Sequence, residues 1–305
     1  MKIGVQTANI IDPLGLEAGF KAIREAGFDC VDYNIDHELT TEAVRRGERS
    51  AFFDLPEAEM LEALRPVKEA AEKNGIAISQ MHAPFPSWVK DNDFANEYVL
   101  YAIRRCILAA HYLNCPYLVV HPFFLGYQDM LSKEEEQALN LERYGKLIED
   151  CKKYRVTVCL ENMFTGRRGK IYEAICSDMS EAAWYIDTLN EMAGEKCFAF
   201  CLDVGHSMLL GKDIYEVIRQ IGPRAECLHI HDNDGCQDLH LFPYMGIVDW
   251  DRFVKGLREI GYKGVLSFET FNALNVFDPE VHPEALKLLA AIGRMFARRI
   301  EGEGA

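Results

Sequence analysis

Acidic and imidazole side chains recur directly after short apolar runs of this chain. They stand in SQMHAPF, LVVHPFF, VCLENMF, FCLDVGHS, CLHIHDND and VLSFET, and they are His82, His121, Glu161, Asp203, His206, His229, His231, Asp232, Asp234 and Glu269; the amide Asn162 follows Glu161. A carboxylate that follows a buried run needs a partner, because an unpaired buried charge costs several kcal/mol. Lysine and arginine are scarce beside these acids. The sequence therefore predicts a bound divalent cation as their partner.

The ligand types narrow the choice of ion without fixing it. Carboxylates and imidazoles together fit Mn2+, Co2+, Mg2+ or Zn2+, and we expect Mn2+ first. His229 and His231 lie two residues apart on one predicted strand, so both side chains face the same side of it. Either histidine could therefore be a metal ligand. The other would then support the ligands from outside the coordination sphere or pack in the core.

The elements that carry these residues alternate between strand and helix. The predicted strands are 2–7, 30–34, 76–82, 117–121, 157–162, 198–204, 227–232 and 264–270. The predicted helices are 16–26, 58–73, 94–113, 132–154, 180–192, 214–221, 250–260 and 283–299. Eight such units predict an α/β fold, a single (β/α)8 TIM barrel domain over residues 1–305, with an insertion at 36–57 after strand 2. The active site of such a barrel lies at the carboxyl ends of the strands.

A doubly wound nucleotide-binding sheet is the structural alternative. That fold would need a glycine-rich phosphate turn after an early strand, and the first turn, QTANIIDPLG, has no GxGxxG motif. The barrel is therefore the better interpretation.

Composition excludes some classes of function. The chain has 305 residues, 49% of them hydrophobic, and a net charge of −15, which disfavours a nucleic-acid partner. It lacks a run of about 20 apolar residues and a signal-type start, so we expect no membrane contact and a cytoplasmic location. The ten cysteines are scattered singly, which predicts buried thiols in a reducing compartment.

The chain resembles the xylose isomerase-like barrel superfamily through the ordered set HAPF, HPFF, LEN, DVGH, HIHDNDG followed by DLHLFPYMGIVDW, and FET. That superfamily contains sugar isomerases, ketose epimerases and endonuclease IV-type abasic-site endonucleases. The resemblance covers almost the whole chain. Carried over by position, it implies that one divalent ion is held by Glu161, Asp203, His231 and Glu269.

The resemblance further implies a divalent-metal-dependent isomerase or epimerase of a sugar or sugar phosphate. Glu161 and Glu269 would be the acid and base that move a proton next to a carbonyl through an enediolate, and His206 would hold a substrate oxygen. The residues expected to bind substrate are His82, His121, Asn162, His206, Asp238, His240 and Trp88. Ketose 3-epimerases tend to place an arginine shortly after HIH, where this chain has DNDGCQDLH, so the sugar stays open.

Three alternatives remain at this point. The first is a lyase of the same superfamily that cleaves an oxo-sugar C-glycoside with a small partner subunit. The oligomeric state is left open between a homo-oligomer and a hetero-oligomer with such a subunit. The second is an abasic-site endonuclease with three zinc ions, whose nine ligand types are matched by His82, His121, Glu161, Asp203, His206, His231, Asp238, His240 and Glu269. The acidic charge weighs against that endonuclease. The third is a sugar-binding barrel without catalysis.

Overall fold

The computed structural model describes residues 1–302. Its strands are β1 (Ile3–Gln6), β2 (Cys30–Asn34), β3 (Ala77–His82), β4 (Tyr117–Val120), β5 (Thr157–Glu161), β6 (Phe164–Arg167), β7 (Lys170–Glu173), β8 (Phe198–Asp203), β9 (Ala225–His229) and β10 (Leu266–Phe268). Eight of them form one parallel sheet in the order β10-β1-β2-β3-β4-β5-β8-β9. A parallel bridge between Ile230 and Phe268 links β9 to β10, the two ends of that order. The fold is the predicted α/β TIM barrel.

The helices follow the strands as the periodicity predicts. They are α1 (Ile11–Leu14), α2 (Leu16–Ala26), α3 (Thr41–Arg46), α4 (Glu57–Asn74), α5 (Asp93–Tyr112), α6 (Lys133–Gly145), α7 (Ile148–Tyr154), α8 (Met179–Ala193), α9 (Val204–Leu209), α10 (Ile214–Ile221), α11 (Trp250–Glu259), α12 (Phe271–Leu274) and α13 (His282–Glu301). The predicted bounds of α2 and α10 are confirmed. The predicted helix 132–154 is divided into α6 and α7. Four short helices, α1, α3, α9 and α12, were not expected.

Local signals explain where the helices begin and end. The Ser132 side chain accepts from the backbone of Glu135, and the Glu135 carboxylate accepts from Ser132, which is the capping box that the sequence predicts. Gly27 ends α2 with φ +105°, a left-handed conformation that favours glycine. Ser132 therefore marks the start of α6, and Gly27 marks the turn before β2.

The end of one predicted strand and the chain after another differ from prediction. The strand predicted at 227–232 runs from Ala225 to His229, so His231 and Asp232 lie in the segment after it. A two-stranded antiparallel hairpin, β6 with β7, follows β5 and was missed. Its turn has positive φ at Arg168 and at Gly169, as a tight hairpin requires. The basic segment TGRRGK forms the tip of this hairpin.

The described residues group into two compact units. The first unit contains Met1–Tyr33, Pro66–Ser79 and the chain from Cys201 onward, and Trp250 stacks on Phe296 in its core at 5.3 Å between ring centroids. The second unit contains Asn34–Arg65 and Gln80–Phe200. In its core the Tyr144 ring contacts Phe123 and Phe198. The single-domain assignment of 1–305 stays a prediction, and its last three residues, 303–305, lie outside the described range.

The insertion at 36–57 belongs to the second unit and packs through its aromatic side chains. Phe53 is fully buried, and Tyr98 of α5 accepts from the Ser50 backbone and donates to Asp54. Nine of the ten cysteines are buried as predicted, whereas Cys236 is exposed because it lies in the polar loop after β9. Within residues 1–302 no helix is both long and apolar enough to cross a membrane.

Candidate functional site

Asp203 and His231 form the centre of a polar cluster in the first unit. Asp203 ends β8 and caps α9, where its Oδ1 accepts from the His206 backbone at 2.6 Å. The His231 Nε2 lies 3.1 Å from Asp203 Oδ1 and 3.0 Å from Oδ2. Gly205 makes room for this ring, since a Cβ there would lie 1.9 Å from His231 Cε1. The DVGH motif therefore brings an aspartate and a histidine together through its glycine.

Glu269, directly after β10, lies between an amide and two imidazoles. Its Oε1 accepts from Gln6 Nε2 at 2.8 Å. Its Oε2 lies 3.5 Å from His229 Nδ1 and 3.6 Å from His240 Nδ1. The carboxylate is thus held at one oxygen and bordered at the other by nitrogen groups.

Asp238 and His240 form a charged pair beside this cluster. His240 adopts φ +47°, donates from Nδ1 to the Glu269 carbonyl at 2.9 Å and from Nε2 to Asp238 Oδ2 at 3.1 Å, and stacks on His231 at 4.0 Å. Burial lowers the pKa of His240, but the Asp238 hydrogen bond and the Glu269 charge outweigh it and raise the pKa to about 9. Although burial opposes it, His206 and His240 hold the pKa of Asp238 below its usual range.

The donor set of the first unit fits a divalent cation. Asp203, His229 and Glu269 each offer one ligand atom, and these atoms lie within 4.8 Å of one another; His231, His240 and Glu269 do so as well. In the described residues, buried His231 Nδ1 and Asp238 Oδ1 have no hydrogen-bond partner. Carboxylate oxygens and imidazole nitrogens are ligands that Mn2+, Co2+ and Zn2+ accept. Three of the four predicted ligands, Asp203, His231 and Glu269, are brought together here.

The second unit holds the fourth predicted ligand, Glu161, beside two histidines. Glu161 ends β5 in a buried position, and its Oε2 lies 3.0 Å from His121 Nε2 and 3.6 Å from His82 Nε2. His82 donates from Nδ1 to the Ala83 carbonyl at 2.8 Å, which leaves its Nε2 toward His121 at 3.2 Å. These three side chains also offer ligand atoms within 4.8 Å of one another.

The other two residues expected to bind substrate lie in the second unit. Asn162 follows Glu161 and is buried. Trp88 is partly exposed, and the Arg143 guanidinium lies over its ring at 4.6 Å while donating to Glu97. Their contact with a sugar stays a prediction.

Asp232 does not need a cation, contrary to the expectation for carboxylates at strand ends. Its two oxygens accept from four donors, which are the backbone of Asn233, Tyr244 and Val248 and the Trp250 indole. Asp234 is exposed and accepts from the Cys236 and Gln237 backbone. Asp232 therefore fixes the loop after β9.

Two polar contacts of the cluster escaped sequence reasoning. Gln6 ends β1 and reaches Glu269, and Asp32 in β2 lies 3.2 Å from His229 Nε2 through its Oδ2. The signal was present, because each is a polar residue in an otherwise apolar strand, IGVQ and CVDYN. Gln6 is an amide and Asp32 lies in the middle of its strand, so neither belongs to the strand-end acids and histidines that predict the site.

The model of one protein family, described as Xylose isomerase-like TIM barrel, matches residues 20–292. Among curated proteins, an uncharacterized protein of Sinorhizobium fredii is 24% identical over 270 residues, which cover 84% of this chain and 81% of that protein. An uncharacterized protein of Methanocaldococcus jannaschii is 28% identical over 218 residues, which cover 68% and 70%.

Solved structures share the fold over nearly their full length. A D-tagatose 3-epimerase-like protein has a TM-score of 0.70 at 22% identity, with 97% of this chain and 100% of that chain covered. The 3-keto-D-glucoside 4-epimerase of E. coli has a TM-score of 0.71 at 18% identity, with 97% and 99% covered. The IOLI protein with a binding zinc atom has a TM-score of 0.69 at 18% identity, with 98% of each chain covered.

Proposed function

Because the chain belongs to the xylose isomerase-like TIM barrel family, we propose that it is a divalent-metal-dependent isomerase or epimerase of a sugar or sugar phosphate. The observation that carries this proposal is the convergence of Asp203, His231 and Glu269 in the first unit. A base carboxylate next to a cation site is what proton removal beside a carbonyl requires. The neighbours of known structure include a sugar epimerase and an epimerase-like protein, which supports the same reaction class.

Asp203, His231 and Glu269 would hold the ion, with Glu161 as the fourth ligand and Mn2+ as the expected metal. When bound, the ion would supply positive charge that stabilises the oxygen of the enediolate. His229 offers a further nitrogen to the same group, so its role is open to test. The unpartnered nitrogen and oxygen of His231 and Asp238 add donors at the edge of this site.

The proton transfer is assigned to the two glutamates. One carboxylate takes the proton from the carbon next to the carbonyl, and the electron pair of that C–H bond becomes the C=C bond of the enediolate. In an epimerase the other, protonated carboxyl returns a proton to the opposite face of the same carbon. In an isomerase a proton is returned to the former carbonyl carbon, while the hydroxyl proton of the first carbon passes to the former carbonyl oxygen. Glu269 and Glu161 fill these roles in the proposal. His206, whose Nε2 lies 3.5 Å from Asp238 Oδ2, would donate to a substrate oxygen.

The test joins a metal count with an exchange assay. Purified protein is analysed for its elemental content per chain, and then incubated in heavy water with a panel of ketoses, aldoses and their phosphates. We expect one Mn-type ion per chain and deuterium at one sugar carbon, detected by NMR. Glu269→Gln and Glu161→Gln should each abolish exchange, because the amide cannot accept the proton.

Glu284→Gln is the matched control, since Glu284 is an exposed glutamate that pairs with Lys287 on α13. It should retain both metal and exchange. A protein that binds one ion and a sugar but never exchanges a proton would contradict the proposal and favour a sugar-binding barrel. Cleavage of an oxo-sugar C-glycoside by the same glutamates would favour the lyase instead.

One observation keeps the endonuclease as a second candidate. Asp238 contacts both His206 and His240, so the D-x-H pair gathers a possible ligand set of its own. Three zinc ions per chain together with nicking of an abasic duplex would support that activity. The net charge of −15 disfavours duplex DNA, and we therefore expect one ion and no nicking.

A further inference from the structure

Asp32 and His229 form a buried polar pair to which the proposed proton transfer assigns no step. Both side chains are fully buried, and the His229 Nε2 lies 3.2 Å from Asp32 Oδ2. The other ring nitrogen, Nδ1, lies 3.5 Å from Glu269 Oε2 and 3.9 Å from Asp203 Oδ2. The pair thus extends from the middle of β2 to the two carboxylates of the candidate metal site.

Strand register places these residues at one level of the first unit. Gln6 of β1 is the register partner of Asp32 in β2, and Val5 of β1 is the partner of Phe268 in β10. Gln6 and Glu269 are the residues that follow this second pair. Side chains of neighbouring barrel strands meet in such layers. Glu269 therefore has Gln6 at one oxygen and the His229 ring at the other.

Stability alone gives little reason for this pair. Burying a carboxylate and an imidazole costs several kcal/mol, and apolar side chains of similar volume usually stabilise a core as well or better. A carboxylate beside one nitrogen of an imidazole does fix the ring plane and the tautomer, so that the second nitrogen has a defined direction. Here that direction is toward Glu269 and Asp203.

We propose that Asp32 and His229 are positioning residues that fix the Glu269 carboxylate for proton transfer and cation binding. Asp32 accepts from His229 Nε2, and the oriented ring sets where Glu269 Oε2 lies, while Gln6 sets Oε1. Asp32 reaches Glu269 by way of His229, whose ring it contacts. The inference rests on the proposed function for its catalytic meaning, whereas the placement of Glu269 is testable without any activity.

The first measurement is Mn2+ affinity by titration calorimetry. Asp32→Asn and His229→Gln should each weaken binding by about 10- to 100-fold, as losses of residues that orient a ligand do. The double variant should bind no more weakly than His229→Gln alone. If the double variant instead loses Mn2+ affinity by the product of the two single losses, the residues act independently and the proposal is wrong. Mn2+ affinity equal to the wild type in both single variants would also overturn it.

Asp29→Asn is the matched control. Asp29 directly precedes β2 and accepts from the Ile3 backbone and from Arg294, away from the Glu269 contacts. Its loss should lower the thermal midpoint but leave Mn2+ affinity within about twofold, since only the Asp32 pair orients a ligand. If Asp29→Asn weakens binding as much as Asp32→Asn, the effect is general destabilisation and the proposal is wrong.

A second measurement separates this inference from the proposed function. Metal-free crystal structures of the wild type and Asp32→Asn should differ at His229 and Glu269, with the Glu269 carboxylate displaced by more than about 0.5 Å, the tolerance of a working site. An unchanged carboxylate would overturn the positioning role. If the wild type neither binds Mn2+ nor exchanges sugar protons, the proposed function fails, and these structures still decide the inference. Where exchange occurs, kcat should fall about 10- to 100-fold with KM nearly unchanged.

Discussion

Replacing Asp232 by asparagine tests whether a single carboxylate holds the loop after β9. Asp232 is fully buried, and its Oδ1 accepts from the Asn233 backbone at 3.0 Å and the Val248 backbone at 3.1 Å. Its Oδ2 accepts from the Tyr244 backbone and the Trp250 indole, both at 3.1 Å. Asparagine keeps the shape but has only one oxygen. Its amide group would face two of the four donors.

The expected loss follows from those two donors. A buried donor without a partner costs about 1–3 kcal/mol, so Asp232→Asn should lower the free energy of unfolding by about 3 kcal/mol. The Gly246 backbone passes so closely that a Cβ there would lie 2.4 Å from Asp232 Oδ1, which leaves little space beside this oxygen for a replacement acceptor. The loop carrying Asp238 and His240 should loosen with it.

Urea unfolding followed by circular dichroism measures this change, with Asp234→Asn as the control. Asp234 lies in the same loop, is exposed, and accepts from two backbone groups that water can satisfy. Its substitution should cost less than about 0.5 kcal/mol. One buried donor without a partner should cost at least about 1 kcal/mol. If the free energy of unfolding of Asp232→Asn differs from that of the wild type by less than this, the carboxylate does not hold the loop.

Three further changes should have distinct signatures. Gly205→Ala should destabilise the fold by about 3 kcal/mol and weaken Mn2+ binding, because its Cβ would overlap the His231 ring; calorimetry measures both. Burial and then Glu181 raise the pKa of Glu136 from 4.5 to about 7, so the folded state binds the extra proton and stability falls as pH rises from 4.5 to 7. Glu136→Gln should flatten that slope and, after allowance for solvent screening, add about 1 kcal/mol at pH 8 in urea titrations. Ser132→Ala should remove about 1 kcal/mol by deleting the cap of α6, read from the thermal midpoint.

The barrel could be predicted from the sequence because each of its eight strands and main helices carries a local sequence signal. Apolar runs and helical periodicity placed eight strands and the main helices, and the Ser132 cap and Gly27 fixed boundaries. Short elements lack such signals, since α9 is six residues long and β6 and β7 are four each. Their formation depends on tertiary contacts, for example the Tyr127 backbone donating to Thr165 of β6.

The composition of the site could be predicted better than its contacts. The family resemblance implied that Asp203, His231 and Glu269 lie together, and the first unit brings them together. Which nitrogen of which histidine faces a carboxylate depends on side-chain rotation, which periodicity does not encode. His229 illustrates this, because the alternation that places it beside His231 does not reveal its contact with Asp32.

The type of partner, and not the mere presence of a charge, separates structural from functional carboxylates in this barrel. Asp232 accepts hydrogen bonds from four N–H donors, two at each oxygen. A cation could bind this carboxylate only by displacing one of these hydrogen bonds and leaving a buried donor without a partner. Asp203 and Glu269 each have one oxygen that accepts from an N–H group, of the His206 backbone and of Gln6 respectively, while the other oxygen faces an imidazole nitrogen. That nitrogen can itself become a ligand when a cation replaces the proton between the two groups. A carboxylate with one oxygen toward imidazoles can therefore exchange a hydrogen bond for coordination, whereas one with both oxygens held by N–H donors cannot. On that criterion we expect the cation at Asp203 and Glu269, whereas Asp232 fixes the loop that carries Asp238 and His240.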